Sequence, residues 1–227
     1  MTDALSLLRM LQTTDSAFPS GAFAFSSGLE TLTNEGKVRD ATGVHGILTH
    51  QIIPRWFSFD RPFLLCAMDA AHDPQQLLDI DARCHVQNTS DRLADASRRI
   101  GRSLLSVHSR IGTPFVASFN AAIAQAMRGH AGGYEPVVQG VVAAGLGLSP
   151  LQAQAGALNG VVTAFTSAAV RLGTLGAIEA QSLLAQIAPT MAKDLSTPCP
   201  EKPGSFSPLS EIAAVRRPTA HASLFAT

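Results

Sequence analysis

The dipeptide Ser149-Pro150 constrains the fold more than any other feature of the chain. Serine is a strong helix N-cap, and proline suits the first helical position because its missing N–H would have no partner there. After this pair no charged residue occurs until Arg171, and apolar residues recur at helical spacing. The pattern predicts one long helix ending near Arg171. Gly156-xxx-Gly160 lies on it, a spacing that lets two helix backbones approach closely. Both internal packing and a helix pair across a dimer interface satisfy that spacing.

Helical periodicity also dominates the remainder, and two-residue alternation is scarce. Leu5, Leu8, Met10 and Leu11 predict a short first helix. A second is expected from about Phe25 to Glu35, with Gly36 as its stop. Asp40 or Thr42 caps a third, which Pro54 is expected to interrupt. Trp56, Phe57, Phe59, Phe63, Leu64, Leu65 and Met68 read as core. Pro74 opens a helix with Leu77, Leu78 and Ile80 inward. Ser90 to His108 predicts a long helix burying Leu93, Ile100, Leu104, Leu105 and Val107. Thr113-Pro114 opens another, and Ala177 to Met191 is the last regular one. The expected fold is all-α.

Composition narrows the function. Hydrophobic residues make up 46% of the chain and charged residues only 15%, against about 25% charged in a typical soluble domain. Two readings follow: a helical domain rich in small residues, or one that hides apolar surface in a complex. The formal net charge is +0 and no polybasic run exists, so nucleic acid is not an expected partner. Cys66, Cys84 and Cys199 are odd in number and match neither a disulfide framework nor a zinc motif. With no signal-like N-terminus, they read as free thiols of a cytoplasmic protein. Ala155 to Val170 falls short of a membrane span of about 20 apolar residues.

Chemistry-bearing motifs are missing. Gly36-Lys37 is followed by Val38, which fails the phosphate-loop pattern, and Gly145-Leu146-Gly147 fails the dinucleotide fingerprint. The seven histidines form no H-E-x-x-H. No Gly-x-Ser-x-Gly elbow surrounds Ser26 or Ser27. No catalytic residue, cofactor or metal ligand is therefore assigned.

Residues 16–30 stand out instead. The run Ser-Ala-Phe-Pro-Ser-Gly-Ala-Phe-Ala-Phe-Ser-Ser-Gly-Leu-Glu spends Phe18, Phe23 and Phe25 among turn-forming residues. Pro19 biases Phe18 away from helix, and Gly21 and Gly28 admit backbone that other residues resist. Aromatics and glycines without catalytic groups suggest contact with another protein. Glu30 reads either as a surface or capping carboxylate or as a partner-facing charge. Arg171 reads as a residue pairing internally or as an arginine finger for a GTPase in trans. Past Asp194 the composition shifts: Pro198, Pro200, Pro203, Gly204 and Pro208 suggest a poorly ordered linker. Leu209, Ile212, Val215 and then Leu224-Phe225 follow it, as apolar anchors that order on a partner would.

Four matches, in the right order, make the chain resemble the UreF family of urease accessory proteins. They are Ser16-Ala17-Phe18-Pro19-Ser20-Gly21 running into Ser26-Ser27-Gly28-Leu29-Glu30; Arg99-Ile100-Gly101 with Leu104-Leu105; Ala169-Val170-Arg171-Leu172-Gly173 with Gly176 and Gln181; and Ser207-Pro208-Leu209, Ile212-Ala213, His221 and Leu224-Phe225. Ser223 stands where family tails commonly carry arginine. The resemblance implies a single helical-bundle domain of about ten helices, residues 1–193, with a flexible Pro-rich tail, residues 194–227. It implies a non-catalytic, cytoplasmic and dimeric scaffold. The scaffold would bind UreD (also called UreH), recruit the GTPase UreG and assist nickel insertion into the urease apoprotein. The alternative is a GTPase-activating regulator of UreG using Arg171. Partner-binding residues implied are Phe18, Pro19, Gly21, Phe23, Phe25, Gly28, Leu29, Glu30, Arg171, His221, Leu224 and Phe225.

Overall fold

The computed structural model describes residues 4–126, 132–216 and 224–225. These residues form helices and connecting turns, and none of them is in a strand. In chain order the α-helices are α1 (Ala4–Thr14), α2 (Leu29–Asn34), α3 (Ala41–Ile47), α4 (Ile53–Arg55), α5 (Arg61–Asp69), α6 (Pro74–Val86), α7 (Asp91–Arg110), α8 (Val116–Ala126), α9 (Glu135–Gly145), α10 (Pro150–Arg171), α11 (Ala177–Leu195) and α12 (Pro208–Val215). Two π-helical turns, Leu48–Ile52 and Trp56–Asp60, join α3, α4 and α5 end to end. With that rod, 41–69, counted as one, the described residues hold ten helical rods, as expected for the fold class.

Local chemistry explains most helix starts. Ser149 Oγ accepts from the Gln152 amide (3.2 Å), and Gln152 Oε1 accepts in return from the Ser149 amide (2.8 Å), a reciprocal capping box. Asp73 caps α6 through the amides of Gln75 and Gln76, and Ser90 caps α7.

Four boundaries differ from expectation. The helix from Ala177 runs on past Met191 to Leu195 and is not the last, because Pro208 at a first helical position opens α12. Pro54 does not interrupt its helix. A π turn precedes it and another precedes Pro62, so the widened ladder absorbs each missing N–H and the rod continues. The second helix starts at Leu29, not Phe25, because Ser27 (φ 51°) and Gly28 (φ 84°) are left-handed. Likewise Phe115 (φ 69°) delays α8 to Val116.

Two apolar clusters fill the interior. One joins Phe59, Phe63 and Leu64 of the rod to Leu77 and Ile80 of α6, Leu104 and Leu105 of α7, Phe119 of α8 and Val137, Val138 and Val141 of α9. Tight seams lie at Gly140, where a Cβ would lie 2.3 Å from the Leu64 carbonyl, and at Gly101, where it would lie 2.0 Å from the Gly133 carbonyl. The other gathers Leu29 and Leu32 of α2, Val44, Leu48 and Trp56 of the rod, Leu158, Val162 and Phe165 of α10, and Leu183 and Ile187 of α11. On α7 the inward residue near the C-terminus is His108, while Val107 and Leu93 are half-buried. Gly156 of α10 faces Met10 and Thr14 of α1, so at least this glycine of the pair serves internal packing.

The chain after α11 is strapped to the rod. Arg61 Nη2 donates to the Thr197 carbonyl (2.7 Å), and Ser58 and Gly204 exchange hydrogen bonds of 2.8 and 2.9 Å. These straps deliver α12 onto α2.

Candidate functional site

The two ends of the chain meet on α2 and the C-terminus of α10. In the N-terminal segment, Phe18 stacks on His108 with ring centroids 5.2 Å apart, and Ser103 Oγ donates to the Pro19 carbonyl (2.6 Å). Gly21, left-handed at φ 77°, turns the chain into a single 3-10 turn, Ala22–Ala24. Phe25 is buried and Leu29 fully so. Gly28 lies beneath α12: a Cβ there would sit 2.7 Å from the Ser210 carbonyl and 3.0 Å from Ala213 Cβ.

Arg171, at the last turn of α10, links the two ends. Its Nη2 donates to the Phe23 carbonyl, and its guanidinium carbon lies 4.2 Å from the centre of the Phe225 ring. Phe225 is only 4% exposed and joins the cluster of Leu29 and Leu32. Glu30 is 7% exposed and its Oε1 accepts from the Leu224 amide (2.8 Å), across 194 residues of sequence. A carboxylate that reads from sequence as a surface or capping group or as a partner-facing charge is here buried and receives the tail. An arginine finger would have to leave both Phe23 and Phe225 to reach a GTPase.

The structure thus brings together Phe23, Gly28, Leu29, Glu30, Arg171, Leu224 and Phe225. Phe18 and Pro19 attach to α7 instead, while Gly21 and Phe25 connect the two regions. His221 lies outside the described residues.

α12 is turned inside out for an isolated helix. Ser210, Ala213 and Ala214 face inward, while Leu209, Ile212 and Val215 are exposed, with Phe206 just before them and Leu224 after. Small inward residues fit the narrow approach to Gly28. The large apolar ones form a row open to another macromolecule.

Sequence reasoning missed a charged group in the interior. Arg55 Nη1 donates to Asp60 Oδ2 (2.7 Å). Burial raises the Asp60 carboxyl above its ordinary value, opposed by Arg55. Glu135, at the start of α9, accepts from Gln139 Nε2 (3.0 Å), and burial plus the negative charge of Asp60 push its pKa up to about 8. Charged residues inside the apolar run 55–64 were the available signal. His108, wholly buried, shares a hydrogen bond with Thr113 (2.9 Å), and burial lowers its pKa to about 4. Asp81 accepts from the amides of Gly133 (3.0 Å) and Tyr134 (2.8 Å), which pins the entry to α9.

Among the described residues no group of three or more His, Cys, Asp or Glu side chains could hold a metal ion. No helix there is long and apolar enough to cross a membrane.

Comparison with known proteins places the chain in a family. The UreF family pattern matches residues 38–188. A urease accessory protein UreF from Trichodesmium erythraeum (strain IMS101) is 30% identical over 99% of this chain and 98% of its own. One from Cereibacter sphaeroides (strain ATCC 17029 / ATH 2.4.9) is 31% identical over 98% and 99%, and one from Arthrobacter sp. (strain FB24) 29% over 96% of each. The family pattern covers the rod, α6 to α10 with Arg171, and the first part of α11, and the near full-length relatives extend the likeness across the N-terminal segment with Glu30 and the C-terminal one. The chain belongs to the UreF family of urease accessory proteins.

Proposed function

We propose that the protein is a non-catalytic scaffold of urease maturation. It binds UreD (UreH), and the composite recruits the GTPase UreG to deliver nickel, the cargo, to the urease apoprotein. It works in the cytoplasm as a homodimer. Residues 1–193 serve as the helical body and 194–227 as the partner-binding tail.

The observation that carries this reading is the junction of the chain ends. Phe23, Glu30 and Arg171 seat Leu224 and Phe225, and beside that seat runs the exposed row Leu209, Ile212 and Val215. Apolar residues exposed in a continuous row are characteristic of a partner surface. Partner contact supplies a reason for large side chains to face water while small ones face the core.

Co-expression with UreD and UreG of the same source tests the proposal. A complex with UreD that survives gel filtration is expected, and its failure to form defeats the reading. Removing Leu224 and Phe225 should weaken UreD binding while the far-ultraviolet circular dichroism spectrum stays helical. Unchanged affinity would remove the tail from the interface.

A further inference from the structure

Beneath α12 the packing leaves a hollow of about 110 Å³, between the rod, α7, α9 and the inner face of α12. Three buried polar atoms on its walls have no protein partner: Trp56 Nε1, Arg55 Nε and Ser210 Oγ. Trp56 and Ser210 are each only 1% exposed. Such atoms are uncommon in folded proteins, and three around one hollow call for an occupant able to hydrogen-bond.

The wall chemistry selects among occupants. The Asp60 carboxylate disfavours an anion. The Arg55 guanidinium, bonded to Asp60, disfavours a cation. An apolar molecule would leave the indole N–H and the hydroxyl unmet. Water fits on every count. The hollow has room for several molecules, each of which occupies about 30 Å³ in the liquid. Trp56 and Arg55 bring donors to its walls, and Asp60 and Glu135 bring carboxyl oxygens, the kinds of polar partner that buried water needs.

We propose that this hollow binds a cluster of long-lived waters that bridges Ser210 of α12 to Trp56 and Arg55 of the rod. The tail helix is then seated partly through water. Its small inward side chains leave space that Leu or Ile would fill, and the waters satisfy the polar atoms exposed to that space. This inference does not depend on which partner the tail meets.

Trp56 is the only tryptophan of the chain, so its indole Nε1–H gives one unambiguous proton resonance. Two-dimensional NOE and ROE spectra of the intact protein should show a cross-peak from that proton to water. The peak should have opposite sign in the two spectra, as dipolar contact with a water held longer than molecular tumbling requires. It should persist in Ser207→Ala, which removes a hydroxyl that could relay exchange, and weaken in Ser210→Ala, which removes one of the polar atoms that hold the cluster. No cross-peak, a peak of the same sign in both spectra, its loss in Ser207→Ala, or an undiminished peak in Ser210→Ala would overturn the proposal. So would a co-purified small molecule showing an NOE to the indole.

Discussion

Replacing Arg171 by alanine separates a clamp from a finger. The guanidinium makes one charge-assisted hydrogen bond to the Phe23 carbonyl and one cation–π contact with Phe225. A hydrogen bond to a charged group contributes about 1.5–3 kcal/mol when shielded, and an exposed cation–π pair about 0.5–1 kcal/mol. Arg171 is itself exposed, so solvent screening reduces both, to about 1–2 kcal/mol together. The loss falls on a local equilibrium, the seating of residues 224–225 on α2, and not on the core clusters. A change of about 1–2 kcal/mol shifts that equilibrium roughly 5–30-fold. The Leu224 amide is a direct reporter, because its acceptor is Glu30 Oε1. Amide exchange followed by NMR should show Leu224 exchanging roughly 5–30-fold faster in Arg171→Ala, with Val137, Val138 and Val141 of α9 unchanged. Arg171→Lys should fall between, since it keeps the charge and loses the flat stacking face. An unaltered Leu224 rate in Arg171→Ala refutes the clamp. If instead UreG hydrolysis slows about 10³-fold in a complex that still assembles, the residue acts as a finger.

Three further outcomes test other parts of the structure. Gly28→Ala places a side chain at φ 84° and 2.7 Å from the Ser210 carbonyl; the left-handed backbone alone costs about 1–2 kcal/mol, so amides of 208–215 should lose protection while overall helicity stays. Glu135, with its pKa raised to about 8 in the fold, binds a proton that the unfolded chain releases at lower pH. Its contribution is therefore complete below the ordinary glutamate range and is lost as pH rises toward 8, by about 1.4 kcal/mol per pH unit in that interval. Urea melts of Glu135→Gln should be flatter over that range, and identical pH profiles would contradict the burial argument. His108 titrates with the opposite slope: with its pKa lowered to about 4, stability is complete above about pH 6.5 and falls as pH drops toward 4, by up to about 3 kcal/mol. His108→Gln should remove that acid sensitivity in thermal melts, and retention of it would point to other groups.

What could be read from the residues alone was what a few neighbours decide together. Ser149, Gln152 and Pro150 start α10 among themselves, Asp73 and Ser90 do the same for α6 and α7, and apolar spacing identifies the buried faces of most helices. The order of motifs from Ser16 to Phe225 was enough to suggest the family. Pro54 was misread because its effect depends on the ladder around it: a π turn lets a buried rod pass through a proline that would break an isolated helix. The burial of Asp60 and Glu135, and the particular partners of Glu30 and Arg171, were beyond local reading for a related reason. The role of a charged side chain depends on which distant atoms surround it, and those neighbours come from segments as far apart as Glu30 and Leu224. Only packing decides whether such a group meets water, a carbonyl, an aromatic ring or another charge, because desolvation and Coulomb energy depend on distance in space and not along the chain.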